Sequence, residues 1–183
     1  MRLTKLVLAA ILAFLGTPAQ ARLPVGAQAP AFTIEAALGG QPFLFSLADA
    51  LEKGPVVLYF YPKSFTGVCT EEANLFADAM DEFAANGASV IGISADNIET
   101  QRRFSSLECR DRFPVGADPE MKVVKQYDAA FVIGFVNLPA ADRVSYVIAP
   151  DGTIVSSVRD MGATAHIQKS LEAVRALRSA GKR

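Results

Sequence analysis

Two cysteines occur in 183 residues, and one of them, Cys69, closes the segment Pro62-Lys63-Ser64-Phe65-Thr66-Gly67-Val68-Cys69. The segment follows the apolar run 56–61 and leads into an amphipathic helical pattern. A thiol at such a strand-to-helix turn meets the amide end of a helix, whose partial positive charge favours the ionised sulfur. A free thiol near pKa ~8.5 is mostly unreactive at neutral pH, and apolar burial suppresses it further. Lowering that value by one unit takes only about 1.4 kcal/mol, which a helix end plus one nearby cation can supply. The position therefore favours a reactive thiolate over an inert buried thiol. Thr66, three residues earlier, offers a hydroxyl that can accept from the thiol region and donate to a bound oxygen; as a cap or turn residue it needs no chemical role. Pro62 offers a rigid apolar wall without a backbone donor, or simply ends a strand.

The elements that must hold these residues are legible in the periodicity. Gly54-Pro55 introduces residues 56–61, a continuous apolar run of the kind expected for a strand covered on both faces. From Glu71 the period changes: Ala73, Phe76, Met80 and Phe83 recur at spacings of three and four, predicting a helix that Asn86-Gly87 closes. Residues 89–94 form a second buried strand, so the region reads as a right-handed βαβ unit. Upstream, 32–34 and 42–47 are short extended pieces around Gly39-Gly40. Downstream, Asp96 or Asn97 caps a helix that ends near Cys109, and Asp118-Pro119-Glu120 opens a short helix carrying Val123, Val124 and Tyr127. Residues 143–149 and 153–158 flank the turn Pro150-Asp151-Gly152. Thr164 caps a last helix whose stripe is Ile167, Leu171, Val174 and Leu177, and Lys182-Arg183 is tail. Periodicity alone supports an α/β chain with mixed strands, without a repeat or an interdomain linker.

The N-terminus has the order of a secretory signal peptide: Arg2 and Lys5, the uncharged run Leu6 to Gly16, then Ala19-Gln20-Ala21 as a small-x-small processing site. The run is short of the roughly 20 residues a spanning helix needs. Residues 1–21 are thus expected to be removed, leaving one domain over 22–183, in a periplasmic or other exported compartment that permits a disulfide. A net charge of −1 without a basic block argues against nucleic acid as a partner. One histidine leaves little scope for a Cys/His zinc site, and no phosphate-binding glycine loop is present, so no metal and no nucleotide cofactor is expected. His166 reads as a surface or cap residue, Glu72 and Asn74 as surface or packing residues, and Arg102, Arg103, Arg110 and Arg112 as surface charges.

Taken together, Pro62, Thr66 and Cys69 match the Pro-x-x-x-Thr/Ser-x-x-Cys motif, and the chain resembles the peroxiredoxins. Tyr59-Phe60-Tyr61-Pro62-Lys63, Gly92-Ile93-Ser94-Ala95-Asp96 and Arg143-Val144-Ser145-Tyr146-Val147-Ile148 resemble the bacterioferritin-comigratory, or peroxiredoxin Q, branch. The resemblance covers roughly residues 26–177 and implies a thioredoxin-like fold: a central mixed β-sheet flanked by helices, with an N-terminal strand extension. It further implies a haem- and metal-free peroxidase acting on hydrogen peroxide and organic hydroperoxides. Cys69 would be the nucleophile that becomes a sulfenic acid. Thr66 would orient the peroxide, and Arg143 would stabilise the thiolate and the charge on the oxygens. The partners implied are a hydroperoxide and a thioredoxin-like or other dithiol reductant, acting on a monomer without stable membrane insertion.

The pattern departs from the branch at one place. Many members carry a resolving cysteine five residues after the first, where this chain has Asn74. Other members place it in the next helix, so the resemblance makes Cys109 the expected resolving partner in an intramolecular disulfide. Recycling of Cys69 by an external thiol is the alternative. A thiol–disulfide oxidoreductase is disfavoured because Thr66 occupies the Cys-x-x-Cys position. A noncatalytic binding domain stapled by Cys69–Cys109 is a further alternative.

Overall fold

The computed structural model describes residues 22–133 and 136–181; the expected signal segment and tail lie outside the described residues. The element order is β1 (Thr33–Leu38), β2 (Gln41–Ser46), α1 (Leu47–Leu51), β3 (Val56–Phe60), α2 (Gly67–Ala85), β4 (Ser89–Ser94), α3 (Ile98–Leu107), β5 (Val115–Ala117), α4 (Lys122–Gln126), β6 (Ala130–Ile133), β7 (Val136–Ala141), β8 (Val144–Ile148), β9 (Ile154–Arg159) and α5 (Thr164–Ala180). Seven strands form one mixed sheet in the order β2-β1-β5-β4-β3-β8-β9, and β6–β7 form a separate hairpin. β3, β4 and β5 run parallel, as the crossover through α2 demands; β8 and β9 continue antiparallel on one side, and the β1–β2 hairpin on the other.

β3 is buried at every position, and its alternation divides the core. Val56, Leu58 and Phe60 join one apolar cluster with Leu47, Val124 and Tyr127. Val57, Tyr59 and the following Tyr61 join the other, with Phe76 and Phe83 of α2, Phe104 of α3, and Ile167 and Val174 of α5. Tyr59 stacks on Phe76 with centroids 4.5 Å apart, a pair worth about 0.5–1.5 kcal/mol beyond its area. The ring lies flat against β4 because residue 92 is glycine: a Cβ there would come within 2.5 Å of the Tyr59 ring.

Several boundaries differ from the sequence reading for physical reasons. Asp118-Pro119-Glu120 does not open α4; the helix starts at Lys122 after Met121 in the left-handed region, and the Asp118 carboxylate accepts from the Lys122 and Val124 amides. Thr164 is the first residue of α5 rather than its cap, which is Ala163. α3 ends at Leu107, so Cys109 lies beyond it in a turn. Asn97 is the α3 cap, its side chain accepting from Thr100 N.

Candidate active site

Register places the site. Phe60 pairs with Val144, so Arg143 enters the sheet beside Tyr61, at the carboxyl end of β3 from which the Cys69 loop departs. That is the end of a parallel sheet where ligands are usually bound. Val144 pairs in turn with Arg159, which brings Asp160 and the start of α5 to the same end.

The loop 62–66 is clamped onto β4. Asp96 accepts from Lys63 Nζ at 2.6 Å, from the Ser64 amide at 2.7 Å and from Ser94 Oγ at 2.9 Å. Burial raises this carboxyl, but those hydrogen bonds outweigh burial and hold it below its ordinary value. Tyr61 donates to Gln101 Oε1 at 2.7 Å, and Gln101 donates to Ser94 Oγ and the Gly116 carbonyl. The clamp holds Phe65 at φ 62°, a left-handed conformation costly for a bulky side chain. Its exposed ring stands edge-on to Phe104 and beneath Arg103.

Thr66 is the residue before α2, with extended backbone, and its hydroxyl donates to the Lys63 carbonyl at 2.9 Å rather than capping the helix. Pro62 is half-buried at the start of the loop. Cys69 is the third residue of α2, 2 % exposed, and the helical ladder begins only at Thr70 N→Thr66 O. The sulfur therefore lies in the first turn, where amides without helical partners gather. Arg143 supplies the cation: Nη2 donates to Cys69 Sγ at 3.2 Å, and Nη1 donates to Glu72 Oε2. Its backbone is fixed by Asp142, which accepts from the Arg143 amide and from Arg159 Nε. Burial pulls the guanidinium's pKa down, but Glu72 and Cys69 together hold it above the ordinary arginine value, so it stays charged.

Two residues of the site escaped the sequence reading. Of the surface or packing roles expected for Glu72, the packing one holds, but its part in the site was not foreseen: it is wholly buried, one turn after Cys69 on the face that carries Phe76. Burial pushes its carboxyl up to about 8 against the pull of Arg143, and its Oε1 has no hydrogen-bond partner. Its spacing of three from Cys69 and four from Phe76 is the signal that could have found it. His166 is not a surface cap either: it is fully buried, with Nδ1 2.8 Å from Ser145 Oγ and Nε2 3.0 Å from the Asp160 carbonyl. Its spacing of four to the buried Ser170, and of eight to Val174, places it on the inner stripe of α5. Asn74 is half-buried and donates to the Thr70 carbonyl and Glu108. Arg102, Arg103, Arg110 and Arg112 are exposed, as expected.

Cys109 belongs to the same apolar cluster as Cys69, and both are free thiols. Burial pushes the Cys109 thiol up, and Glu108 and Asp111 add to that.

A thiol, a buried guanidinium and a hydroxyl-bearing loop at the end of a mixed sheet define a thiol-dependent peroxidase of thioredoxin-like fold, and comparison with known proteins agrees. Residues 25–157 match the model of the AhpC/TSA family, and the chain belongs to that family. It is 34% identical over 156 residues to "Putative peroxiredoxin bcp" of Helicobacter pylori, covering 84% of this chain and 99% of that one. The crystal structure of peroxidoxin BcpB from Mycobacterium tuberculosis superposes with a TM-score of 0.72 at 31% identity, over 84% of this chain and 97% of that one. A peroxiredoxin Q from Xanthomonas campestris has a TM-score of 0.69 at 24% identity, over 79% and 91%, a likeness of fold. The chain is a peroxiredoxin, a thiol-dependent peroxidase.

Proposed function

We propose that Cys69 is the peroxidatic nucleophile and that Cys109 resolves it within the same chain. The observation that carries this reading is the Arg143 guanidinium donating to the Cys69 sulfur at 3.2 Å. A cation fixed there favours the thiolate, and it is in place before negative charge develops on the peroxide oxygens. The thiolate attacks the terminal oxygen of a hydroperoxide: the S–O bond forms, the O–O bond breaks, and Cys69 becomes a sulfenic acid. The departing alkoxide, or hydroxide from hydrogen peroxide, takes a proton from water. Thr66 lies at the mouth of the helix with oxygen lone pairs still available to orient the peroxide. Pro62 limits water on the loop side.

In the second step the Cys109 thiolate attacks the Cys69 sulfur, forming the disulfide as hydroxide leaves. Both sulfurs are buried, so the first turn of α2 and the turn after α3 must open to let the two approach; a disulfide requires Cα atoms roughly 4.4–6.8 Å apart. A thioredoxin-like dithiol then reduces the bond, and the protein works as a monomer, as likeness to the bacterioferritin-comigratory branch suggests. Residues 1–21 direct export to the periplasm or an equivalent compartment, a reading supported by their charge and hydropathy order. No helix among the described residues is long and apolar enough to cross a membrane.

Peptide mapping after one equivalent of peroxide tests the cycle. One Cys69–Cys109 link per chain is expected. Free Cys109 beside oxidised Cys69 would refute the intramolecular step and leave recycling by an external thiol, a route that the buried, acid-flanked Cys109 favours. Intact mass of exported protein should place the mature N-terminus at Arg22.

A further inference from the structure

The two segments that must open to join the thiols are tied at one side chain. Gln101 is wholly buried as the fourth residue of α3, the helix that runs on to Cys109. Its carboxamide faces two ways. Oε1 accepts from the Tyr61 hydroxyl at 2.7 Å. Ser64 Oγ is 3.3 Å from the same oxygen and 3.2 Å from the Tyr61 hydroxyl, near enough to give its one hydrogen to either. Nε2 donates to Ser94 Oγ at 2.8 Å and to the Gly116 carbonyl at 3.0 Å. That carbonyl can only accept, which fixes the amide this way round. Burial pushes the Tyr61 hydroxyl up, so it keeps its proton and donates. Both amide hydrogens and the amide oxygen are therefore engaged.

The tie reaches towards both thiols. On the loop side, Ser64 is held twice, its hydroxyl by this group and its amide by Asp96, which also accepts from Ser94 Oγ. On the helix side, Phe104 lies three residues after Gln101 on the same buried face. Its ring stacks on Tyr61 with centroids 5.4 Å apart and meets Phe65 edge-on at 5.2 Å. Its carbonyl accepts from the Cys109 amide at 3.1 Å. Loosening Gln101 therefore loosens the loop that leads to Cys69 and the helix that leads to Cys109 together.

We propose that Gln101 is a positioning residue for the second step: it holds the Cys69 loop and α3 closed on the sheet as one unit, and its release lets Cys109 reach the oxidised Cys69. The proposal rests on Cys109 being the resolving thiol. The closed arrangement serves the first step, in which Arg143 donates to the sulfur; disulfide formation needs the open one. The strength of the tie thus divides the fate of the sulfenic acid. Opening leads to attack by the Cys109 thiolate, with the S–S bond formed as hydroxide leaves. Staying closed leaves it to a second hydroperoxide, which transfers one oxygen to give the sulfinic acid and departs as water or alcohol.

The test is Gln101→Leu in the otherwise native chain, with the two steps timed by rapid acid quench and peptide mass spectrometry after mixing with hydrogen peroxide. Formation of the sulfenic acid should keep the parent's rate. The Cys69–Cys109 link should form about tenfold faster, because the closed form alone loses its buried hydrogen bonds. The peroxide concentration that converts half of Cys69 to sulfinic acid should rise by the same factor. In the reduced protein, without peroxide, iodoacetamide should label Cys109 about tenfold faster through the same opening. Ser64→Ala, which cuts only the loop side, should speed the link and the Cys109 labelling by about two- to threefold, and it stands in if Gln101→Leu lacks a cooperative melt. Val174→Ala lowers stability from α5, in the same apolar cluster as Phe104 but outside the tie, and should change neither rate. A link rate or a Cys109 labelling rate unmoved in the Gln101 and Ser64 variants, or an equal acceleration in Val174→Ala, overturns the proposal. A parent protein that forms no Cys69–Cys109 link overturns the assigned resolving thiol instead, and Cys109 labelling in the reduced variants then decides the tie alone.

Discussion

The two thiols occupy one apolar cluster and are almost equally hidden, 2 % exposed at Cys69 and 0 % at Cys109, yet their surroundings are opposite. Cys69 is in the first turn of α2 with a guanidinium on its sulfur. Cys109 follows the last turn of α3, at the carbonyl end, beside Glu108 and Asp111. An amide end and a guanidinium surround the first sulfur; a carbonyl end and two carboxylates surround the second, whose thiol is pushed up by burial and by those charges. Burial alone therefore does not decide which cysteine reacts first. The backbone differs too. Arg110 and Asp111 are in the left-handed region, at φ 50° and 56°, so the turn after α3 holds strain of order 1–2 kcal/mol per residue. Opening that turn releases strain and exposes Cys109, which suits the second step proposed for it above.

The largest effect expected from breaking this contrast is at Arg143. Arg143→Gln should slow stoichiometric oxidation of Cys69 at pH 7 by roughly 10²–10³-fold, as for loss of one preorganised donor, measured by stopped flow under single turnover. Arg143→Lys keeps a charge but loses the fork that spans sulfur and carboxylate, and should recover only part. An unaltered rate in the glutamine variant would remove the guanidinium from the chemistry.

Selective alkylation sharpens the comparison at a smaller scale. With iodoacetamide on the reduced native protein at pH 7, Cys69 should be labelled at least about tenfold faster than Cys109, one unit of thiolate preference. Peptide mass spectrometry reads the ratio. Replacing both Glu108 and Asp111 by their amides should narrow the gap by speeding Cys109. Equal labelling in the parent protein would mean that access, and not charge, separates the thiols.

How far the sequence shows this contrast depends on the residue. β3 and β4 are legible as continuous apolar runs and α2 as a long periodic one, and Pro62, Thr66 and Cys69 fall within eight consecutive residues. Arg143 was reached through family resemblance; what places it is the Phe60–Val144 register, a long-range pairing that no local pattern encodes. α1 and β5, five and three residues long, are too short to show a period. β6–β7 pair outside the main sheet, so no buried alternation marks them. Glu72 and His166 are hidden for another reason: a charged or titratable residue reads as surface until its partner is known, and their partners lie 71 and 21 residues away.

The last contrast separates the two regions on the pH axis. Glu72 is held up at about 8 in the folded protein, against an unfolded value near ~4.3. Across that interval the native state binds more protons than the unfolded chain, so this group's contribution to stability is complete below the unfolded value and is lost as pH rises towards 8. Its slope reaches at most about −1.4 kcal/mol per pH unit. Glu72→Gln should flatten that fall, read as urea midpoints between pH 5 and 8. Cys109, raised by burial, contributes in the same sense but only above the unfolded thiol value near ~8.5, so Cys109→Ser should change the slope there and nowhere lower. If the serine variant flattened the acid-to-neutral interval instead, the proton-sensitive carboxyl would not belong to the Cys69 side, and the division of labour between the two thiols would fail.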